Sequence, residues 1–275
     1  MELETALEKT KFLIKQKPDG LNASDYAALL TYLGNAFPAH GLLGSPQIQL
    51  DSKVAAYQIA LGHVTVDTDP IVWLITQNHL GVALKSKGEK AKDVDVLKQA
   101  LQAYTAIIEQ LNRIEHPFDW ALANINLGLV LYRLGAISGK EAYFQEASKF
   151  FEEALSIYTK ERTPGKWAEV SNHYGMVLLA LGEQAGADAP LESAIKNFRA
   201  SLGARRRENV PLLWAQTINN LGAACFALAK RNSDPALLRE CVACFEGAIE
   251  VYTKSGETKK SAVIENNLSR VKRLM

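Results

Sequence analysis

The sequence has little of what marks secreted, membrane-spanning or nucleic-acid-binding proteins. Its 275 residues include three cysteines, an odd number that does not suit a disulfide framework and indicates a reducing compartment. Its apolar runs are shorter than the roughly 18 residues of a transmembrane helix, and the charged opening MELETALEKTKFLIKQK lacks the apolar segment of a signal peptide. The formal net charge of +1 gives no general attraction for nucleic acid or anionic lipid. We therefore expect a soluble, cytoplasmic protein that neither inserts into membranes nor binds nucleic acid.

Motifs for catalysis and cofactor binding are missing as well. The chain has no GxxxxGK[ST], GxGxxG, HExxH or GxSxG motif, so no nucleotide loop, metalloprotease site or nucleophile elbow is predicted. Cys241 and Cys244 have the CxxC spacing of redox and zinc sites, but no second CxxC completes a zinc site. Cys241 and Cys225 occupy repeat positions that alanine and leucine hold elsewhere, which suits buried small hydrophobic residues. We expect no enzyme activity, no catalytic residue, no cofactor and no metal.

What the chain does have is a repeat of 47 residues. Its tryptophans lie at this interval without slippage: Trp73, Trp120, Trp167 and Trp214. Tyr26 and Ser261 continue the row at either end. Each tryptophan follows a proline three residues earlier and precedes a glycine eight residues later; the glycines are Gly81, Gly128, Gly175 and Gly222. A fixed period in this range is typical of stacked supersecondary units.

Each repeat has the pattern of two helices, A and B. Helix A begins at the proline, which suits a first helical turn, and carries apolar residues such as Leu80 and Leu84 on one face. A second small residue, such as Gly182, is predicted to end helix A after about 18 residues, before a long polar loop. Helix B has an aromatic residue at a fixed position, and small residues around it allow close helix packing. These aromatics are Tyr57, Tyr104, Phe151, Phe198 and Phe245.

The spacings resemble those of tetratricopeptide repeats. The sequences Leu80-Gly81-x-x-Leu84, Leu127-Gly128-x-x-Leu131 and Leu221-Gly222-x-x-Cys225 are each followed by A-x-x-x-aromatic-x-x-small or a close variant. They are similar to the family pattern L-G-x-x-Y…A-x-x-x-F, although the period here is 47 residues rather than 34. The resemblance extends over almost the whole chain. It implies an all-α fold, a right-handed α-solenoid of stacked antiparallel helix pairs forming a tetratricopeptide-like superhelix. It also implies a non-catalytic module that binds peptides or partner proteins.

We accordingly predict a single repeat domain over residues 1–275. It begins with a lone helix B and ends with a lone helix A, at residues 1–22 and 258–275. Between them lie five A–B pairs, at residues 23–69, 70–116, 117–163, 164–210 and 211–257.

A row of polar residues on helix A is the candidate binding surface. With the tryptophan as position zero and 100° per residue, positions +4, +7, +8, +11 and +15 face the core, and +2, +6, +9 and +13 face away from it. Position +6 is Asn or His in five of six repeats, with hydrophobic residues at +2 and +9 in several. An asparagine amide can donate to and accept from one peptide group, and tetratricopeptide proteins that bind extended peptides carry asparagine at a similar place. The predicted contact residues are Ile75, His79, Val82, Leu122, Asn126, Leu129, Arg133, His173, Met176, Asn220 and Asn267.

The function predicted from these residues is a protein-interaction scaffold or adaptor. It would hold a linear peptide or a partner segment in the concave groove lined by the A helices. Two alternatives stay open. The amides at +6 could instead connect neighbouring A helices, as we expect for the flanking row at +5. The protein could also be a self-assembling scaffold, a homo-oligomer joined through its terminal helices. The run Arg205–Arg207 could add a contact to phosphate or to an acidic peptide, although Arg207 shares with Arg113 and Lys160 a position that complements the dipole of helix B.

Overall fold

A computed structural model describes residues 16–36 and 46–275. Residues 1–15 of the predicted first helix lie outside the described residues, and residues 16–22 form bends and turns. The described ranges contain eleven α-helices and no β-strand, which confirms the all-α class. The helices are α1 (Ala23–Ala36), α2 (Pro46–Leu61), α3 (Pro70–Ala91), α4 (Val94–Gln110), α5 (Pro117–Ser138), α6 (Glu141–Ile157), α7 (Pro164–Ala185), α8 (Asp188–Leu202), α9 (Pro211–Asn232), α10 (Pro235–Lys254) and α11 (Thr258–Lys272).

Consecutive helices pack in pairs, and the tetratricopeptide-like character of the fold is confirmed. The odd-numbered helices are the A helices, and the even-numbered helices are the B helices. The chain forms two compact units, one reaching to Ser138 and the other starting at Gly139. In the first unit, α3 contacts both α1 and α5, and α2 and α4 pack against them. In the second unit, α7 contacts α9, and the B helices α8 and α10 pack against the A helices on either side. A single domain over residues 1–275 stays a prediction.

The glycines eight residues after the tryptophan allow close contact between the two helices of a pair. A Cβ atom built on Gly81 would lie 2.6 Å from Cζ of Tyr104, and one on Gly175 would lie 2.7 Å from Cε1 of Phe198. Both aromatic side chains are fully buried. The B-helix ring therefore lies directly on the backbone of the A helix, and a side chain on the glycine would force the helices apart.

Helix A extends beyond its predicted end. The helices α3, α5, α7 and α9 have 22 residues each, and Gly182 lies inside α7. A Cβ atom on Gly182 would lie 2.6 Å from Cγ of Leu191 in α8, so this position is small because helix B packs against it. The left-handed residue that ends helix A comes four residues after the small residue, as at Gly186. Only two residues then connect α7 to α8, so the predicted long loop between A and B is wrong.

The cysteines lie in the core of the second unit. Cys225, Cys241 and Cys244 are all buried, and burial raises the pKa of Cys241 and of Cys244 to about 12. Such thiols stay protonated at neutral pH, whereas a nucleophile or a metal ligand must be a thiolate. Among the described residues, no group of His, Cys, Asp and Glu side chains is arranged to hold a metal ion.

One helix of the described ranges, α5, is long and apolar enough to cross a membrane by length and composition alone, and 56% of its most apolar stretch is buried inside the protein. The sequence predicts this helix as an A helix but not as a membrane-spanning segment, because its apolar residues are interrupted by Asn124, Asn126 and Arg133. Its buried face packs against α3 and α4, as expected for a core helix of a repeat stack.

Candidate interaction surface

Neighbouring helices cover most of the circumference of a central A helix such as α5. Buried residues of α5 occupy the predicted core face and also positions +1, +3 and +10, which are Ala121, Ala123 and Val130. At 100° per residue, the positions left between these flanks span an arc of roughly 60°. This arc contains +2, +6, +9 and +13, and we call it the open stripe of the A helix.

The eleven predicted contact residues all lie on the open stripe, and their exposure differs. Ile75 and Val82 expose 45% and 42% of their surface, and Arg133 is also exposed. The other eight are half-buried: His79, Leu122, Asn126, Leu129, His173, Met176, Asn220 and Asn267. In the first unit, Ile75, His79 and Leu122 line one cleft of about 190 Å³ between α3 and α5. The structure thus brings three of the predicted residues together at one place.

Two of the three asparagines at +6, Asn126 and Asn220, connect successive A helices. Nδ2 of Asn126 donates to Oδ1 of Asn78 at 3.3 Å, and Nδ2 of Asn220 donates to Oδ1 of Asn172 at 3.2 Å. In each case the +6 residue of one A helix bonds the +5 residue of the preceding A helix. This is the structural role that the sequence left open as the alternative. Since a side-chain amide has two N–H donors and one acceptor oxygen, the bond uses one N–H of Asn126 and of Asn220 and orients the rest of the amide.

The histidines at +6 stack on aromatic residues of helix B. The ring of His79 lies 5.8 Å from that of Tyr57, at an angle of 20° between planes, and the ring of His173 lies 6.2 Å from that of Phe151, at 22°. Nε2 of His79 is also 3.2 Å from Nδ2 of Asn35. Burial lowers the pKa of His79, so its ring is neutral at neutral pH. The two histidine rings therefore pack flat against aromatic side chains of helix B.

Histidine and asparagine alternate at +6 over the four central repeats, so this part of the stripe has a period of 94 residues; Tyr32 and Asn267 at the two ends do not follow it. His79 and His173 are 94 residues apart, and so are Asn126 and Asn220. Each compact unit accordingly contains one stacked histidine and one amide bond at corresponding positions. The alternation is present in the sequence, but an alignment of single 47-residue repeats treats both residue types as one polar position.

A cation lies over the ring of three tryptophans. The distances from the charged group to the ring centre are 4.9, 5.8 and 5.2 Å for the pairs Arg113–Trp120, Lys160–Trp167 and Arg207–Trp214. These cations lie beyond the last residue of helix B, and each of them contacts a tryptophan ring. The sequence contains this pattern as a cation seven residues before each of these tryptophans.

Two of the three arginines at 205–207 form contacts inside the second unit. Arg205 is only 5% exposed, and its Nη1 donates to Oγ1 of Thr217 at 2.9 Å. Arg207 forms an ion pair with Glu250 at 2.7 Å in addition to its contact with the Trp214 ring. For the whole run to contact a phosphate, both the hydrogen bond of Arg205 and the ion pair of Arg207 would have to break.

The chain was compared with known proteins. No family model matches it, and no curated protein matches it. Among solved structures, it is similar to MamA protein at 15% identity and a TM-score of 0.45, over 84% of this chain and 94% of MamA. It is similar to BtubC from P. vanneervenii at 17% identity and a TM-score of 0.44, over 82% and 89% of the two chains. It is similar to a Rap protein complexed with Competence and Sporulation Factor at 16% identity and a TM-score of 0.38, over 98% and 68%. At these identities and scores, the likenesses carry no argument about function.

Proposed function

We propose that this tetratricopeptide-like protein is a non-catalytic, cytoplasmic scaffold that holds a linear segment of a partner protein on the open stripe of its A helices. The observation that carries the proposal is the cleft between α3 and α5, which Ile75 lines and beside which Ile75 and Val82 are exposed on the open stripe of α3. Exposed aliphatic residues grouped on one face of a folded domain are typical of an interaction site.

The spacing of these side chains suits an extended peptide. Ile75 and Val82 are seven residues apart, which is about 10.5 Å along a helix at 1.5 Å per residue. Three residues of an extended chain in the polyproline II conformation cover about 9.3 Å at roughly 3.1 Å each, and their three-residue turn brings both side chains to the same face. A peptide lying along α3 could therefore place one side chain against Ile75 and another against Val82.

The amides can serve both the fold and the ligand. The bond to Asn78 orients Asn126, a half-buried residue of the open stripe that keeps a second N–H and its oxygen for other bonds. A peptide group that binds there would meet a donor and an acceptor already held in place, which reduces the entropy lost on binding. We therefore keep Asn126 and Asn220 in the proposed contact surface.

The test replaces Ile75 and Val82 together with glutamine. Burying the 45% and 42% of these side chains that are exposed is worth about 1 kcal/mol each. The double variant should therefore bind a partner captured from the source cell about 30-fold more weakly. The control is Ile114→Gln, because this aliphatic residue of the same unit is 88% exposed and lies between α4 and α5, away from the open stripe. A loss in the control as large as in the double variant would contradict the proposed surface.

Self-assembly through the terminal helices is the second candidate. The last described helix, α11, exposes Val263 at 62%, but the exposed residues around it include Lys259 and Lys260. Light scattering over a concentration series tests this candidate. A molar mass that stays at one chain over the whole range would rule it out.

A further inference from the structure

The first turns of the A helices carry exposed apolar residues in both compact units. Counted from the tryptophan as zero, these residues are at positions −2 and −1. In the first unit they are Ile71 of α3 and Phe118 of α5, and in the second unit they are Leu212 and Leu213 of α9. Exposed aliphatic and aromatic side chains grouped in this way are typical of an interaction surface.

In the first unit, carboxylates flank the exposed apolar residues. Position −1 is Asp25 in α1 and Asp119 in α5, and both side chains are exposed. The side chains of Ser24 and Asp69 form a hydrogen bond that joins the starts of α1 and α3. The starts of these A helices therefore form one surface of the unit. We call this surface the acidic row; it consists of Asp25, Ile71, Phe118 and Asp119.

In the second unit, lysines flank the exposed apolar residues at the same repeat positions. Position −1 is Lys166 in α7, and positions −2 and −1 are Lys259 and Lys260 in α11. Lys166 and Lys260 pair with Glu169 and Glu257, each three residues away. Lys259 is exposed and forms no ion pair with any residue in the described part of the chain. We call this surface the basic row; it consists of Lys166, Leu212, Leu213, Lys259 and Lys260.

Helix stability does not account for the lysines of the basic row. The N-terminus of a helix has a partial positive charge, which favours carboxylates and disfavours cations in the first turn. Asp25 and Asp119 satisfy this preference, whereas Lys166, Lys259 and Lys260 oppose it. The lysines and the leucines beside them therefore suit a contact outside the unit, with a surface that is both negative and apolar.

We propose that the basic row of one copy docks on the acidic row of a second copy, so that the chain self-associates through the starts of its A helices. The two rows match, because each has exposed apolar residues at its centre and charges of opposite sign on both flanks. Burial of the apolar residues drives the association, and the charges select the partner surface. This contact differs from one through the terminal helices, because it uses α3, α5 and α9. Each copy has one row of each sign, so association can continue beyond two copies unless the contact closes on itself.

Sedimentation velocity of the full chain over a concentration series measures this association. The wild type should form complexes larger than one chain, and added salt should weaken them. Asp119→Lys should weaken the association at least about 10-fold, because it places a cation against the lysines of the basic row. The matched control is Asp95→Lys, which makes the same charge change in the first turn of α4, outside both rows. This control should associate as the wild type does.

A charge exchange between the rows tests the pairing itself. One variant is Asp25→Lys with Asp119→Lys, and the other is Lys166→Glu with Lys259→Glu. Each variant alone should lose the association, because both of its rows then carry mainly one sign of charge. An equimolar mixture of the two should regain it, because every row of one variant finds a row of opposite charge on the other.

The outcomes either support the inference or overturn it. A wild type that stays monomeric over the whole series would overturn it and leave the proposed peptide binding standing, since no peptide enters the experiment. Equal losses in Asp95→Lys and Asp119→Lys, or a mixture that stays monomeric, would also overturn it. Association that is lost in Val263→Gln and kept in Asp119→Lys would overturn it in favour of the terminal helices. Unchanged circular dichroism checks that each variant is folded.

Discussion

Two tyrosines at the same repeat position are expected to respond in opposite ways to loss of the hydroxyl group. Oη of Tyr57 donates to Oδ1 of Asn35 at 2.8 Å. Tyr104 is fully buried, and its hydroxyl has no hydrogen-bond partner among the described residues. Tyr104 lacks the partner that Tyr57 has because position 82, the equivalent of Asn35 one repeat later, is valine. Burial raises the pKa of both phenols, that of Tyr57 to about 12, so both are protonated donors at neutral pH.

Tyr104→Phe should raise the free energy of unfolding, and Tyr57→Phe should lower it. An unsatisfied buried polar group costs about 1–3 kcal/mol, whereas a satisfied hydrogen bond contributes about 1 kcal/mol. The phenylalanine ring fits, because Phe151, Phe198 and Phe245 occupy this position in later repeats. The two variants should therefore differ by at least about 2 kcal/mol.

Urea unfolding followed by far-UV circular dichroism measures both changes. A third variant, Val82→Asn, should stabilise the protein by giving the Tyr104 hydroxyl the partner that Asn35 gives Tyr57. Valine and asparagine have similar helix propensities, and Val82 is 42% exposed, so little else changes. In the combination of Val82→Asn with Tyr104→Phe, the gain from asparagine should vanish. Equal destabilisation by Tyr57→Phe and Tyr104→Phe would refute the reasoning.

Three further predictions concern the A helices and the core. The double variant Asn126→Ala with Asn220→Ala should lower the free energy of unfolding by roughly 1–3 kcal/mol, because two inter-helix bonds are lost. It should also weaken partner binding. If the folded variant binds the partner with unchanged affinity, the amides have a structural role alone. Gly175→Ala should lower the melting temperature sharply, because its Cβ would meet Phe198, whereas Gly165→Ala in the same helix meets nothing within 4 Å and should be neutral or stabilising; similar shifts would contradict the packing argument. The cysteines should not react with a thiol reagent at neutral pH until the protein is unfolded in urea, and prompt labelling of the native protein would place a thiolate at the surface.

The helix pairs could be predicted from the sequence because their signals are local. Pro70, Pro117, Pro164 and Pro211 each stand at the first residue of an A helix, as expected of a residue whose missing N–H costs nothing there. The end of helix A could not be predicted from Gly182 in the same way. A glycine that lets the chain turn and a glycine that lets a leucine approach look identical in a sequence, and only the position of Leu191 distinguishes them.

The candidate surface shows a similar limit. The amphipathic pattern locates the open stripe, since it depends only on the angle between residues of one helix. The bond between Asn126 and Asn78 depends on how far one A helix is shifted along the next, and that offset is set by packing between repeats. The cations over the tryptophans depend likewise on the path of the chain from helix B to helix A.

The alternation of asparagine and histidine along the stripe has a consequence for how such an array can change its length in evolution. A duplication of 94 residues would keep every asparagine at +6 one repeat after an asparagine at +5, as Asn126 follows Asn78. A duplication of the 47 residues around Asn126 would instead place the second copy of this asparagine after Ile125, which offers no acceptor. Loss of the 47 residues around Asn172 would likewise place Asn220 after Ile125. Either change costs an inter-helix bond that the gain or loss of two adjacent repeats would keep.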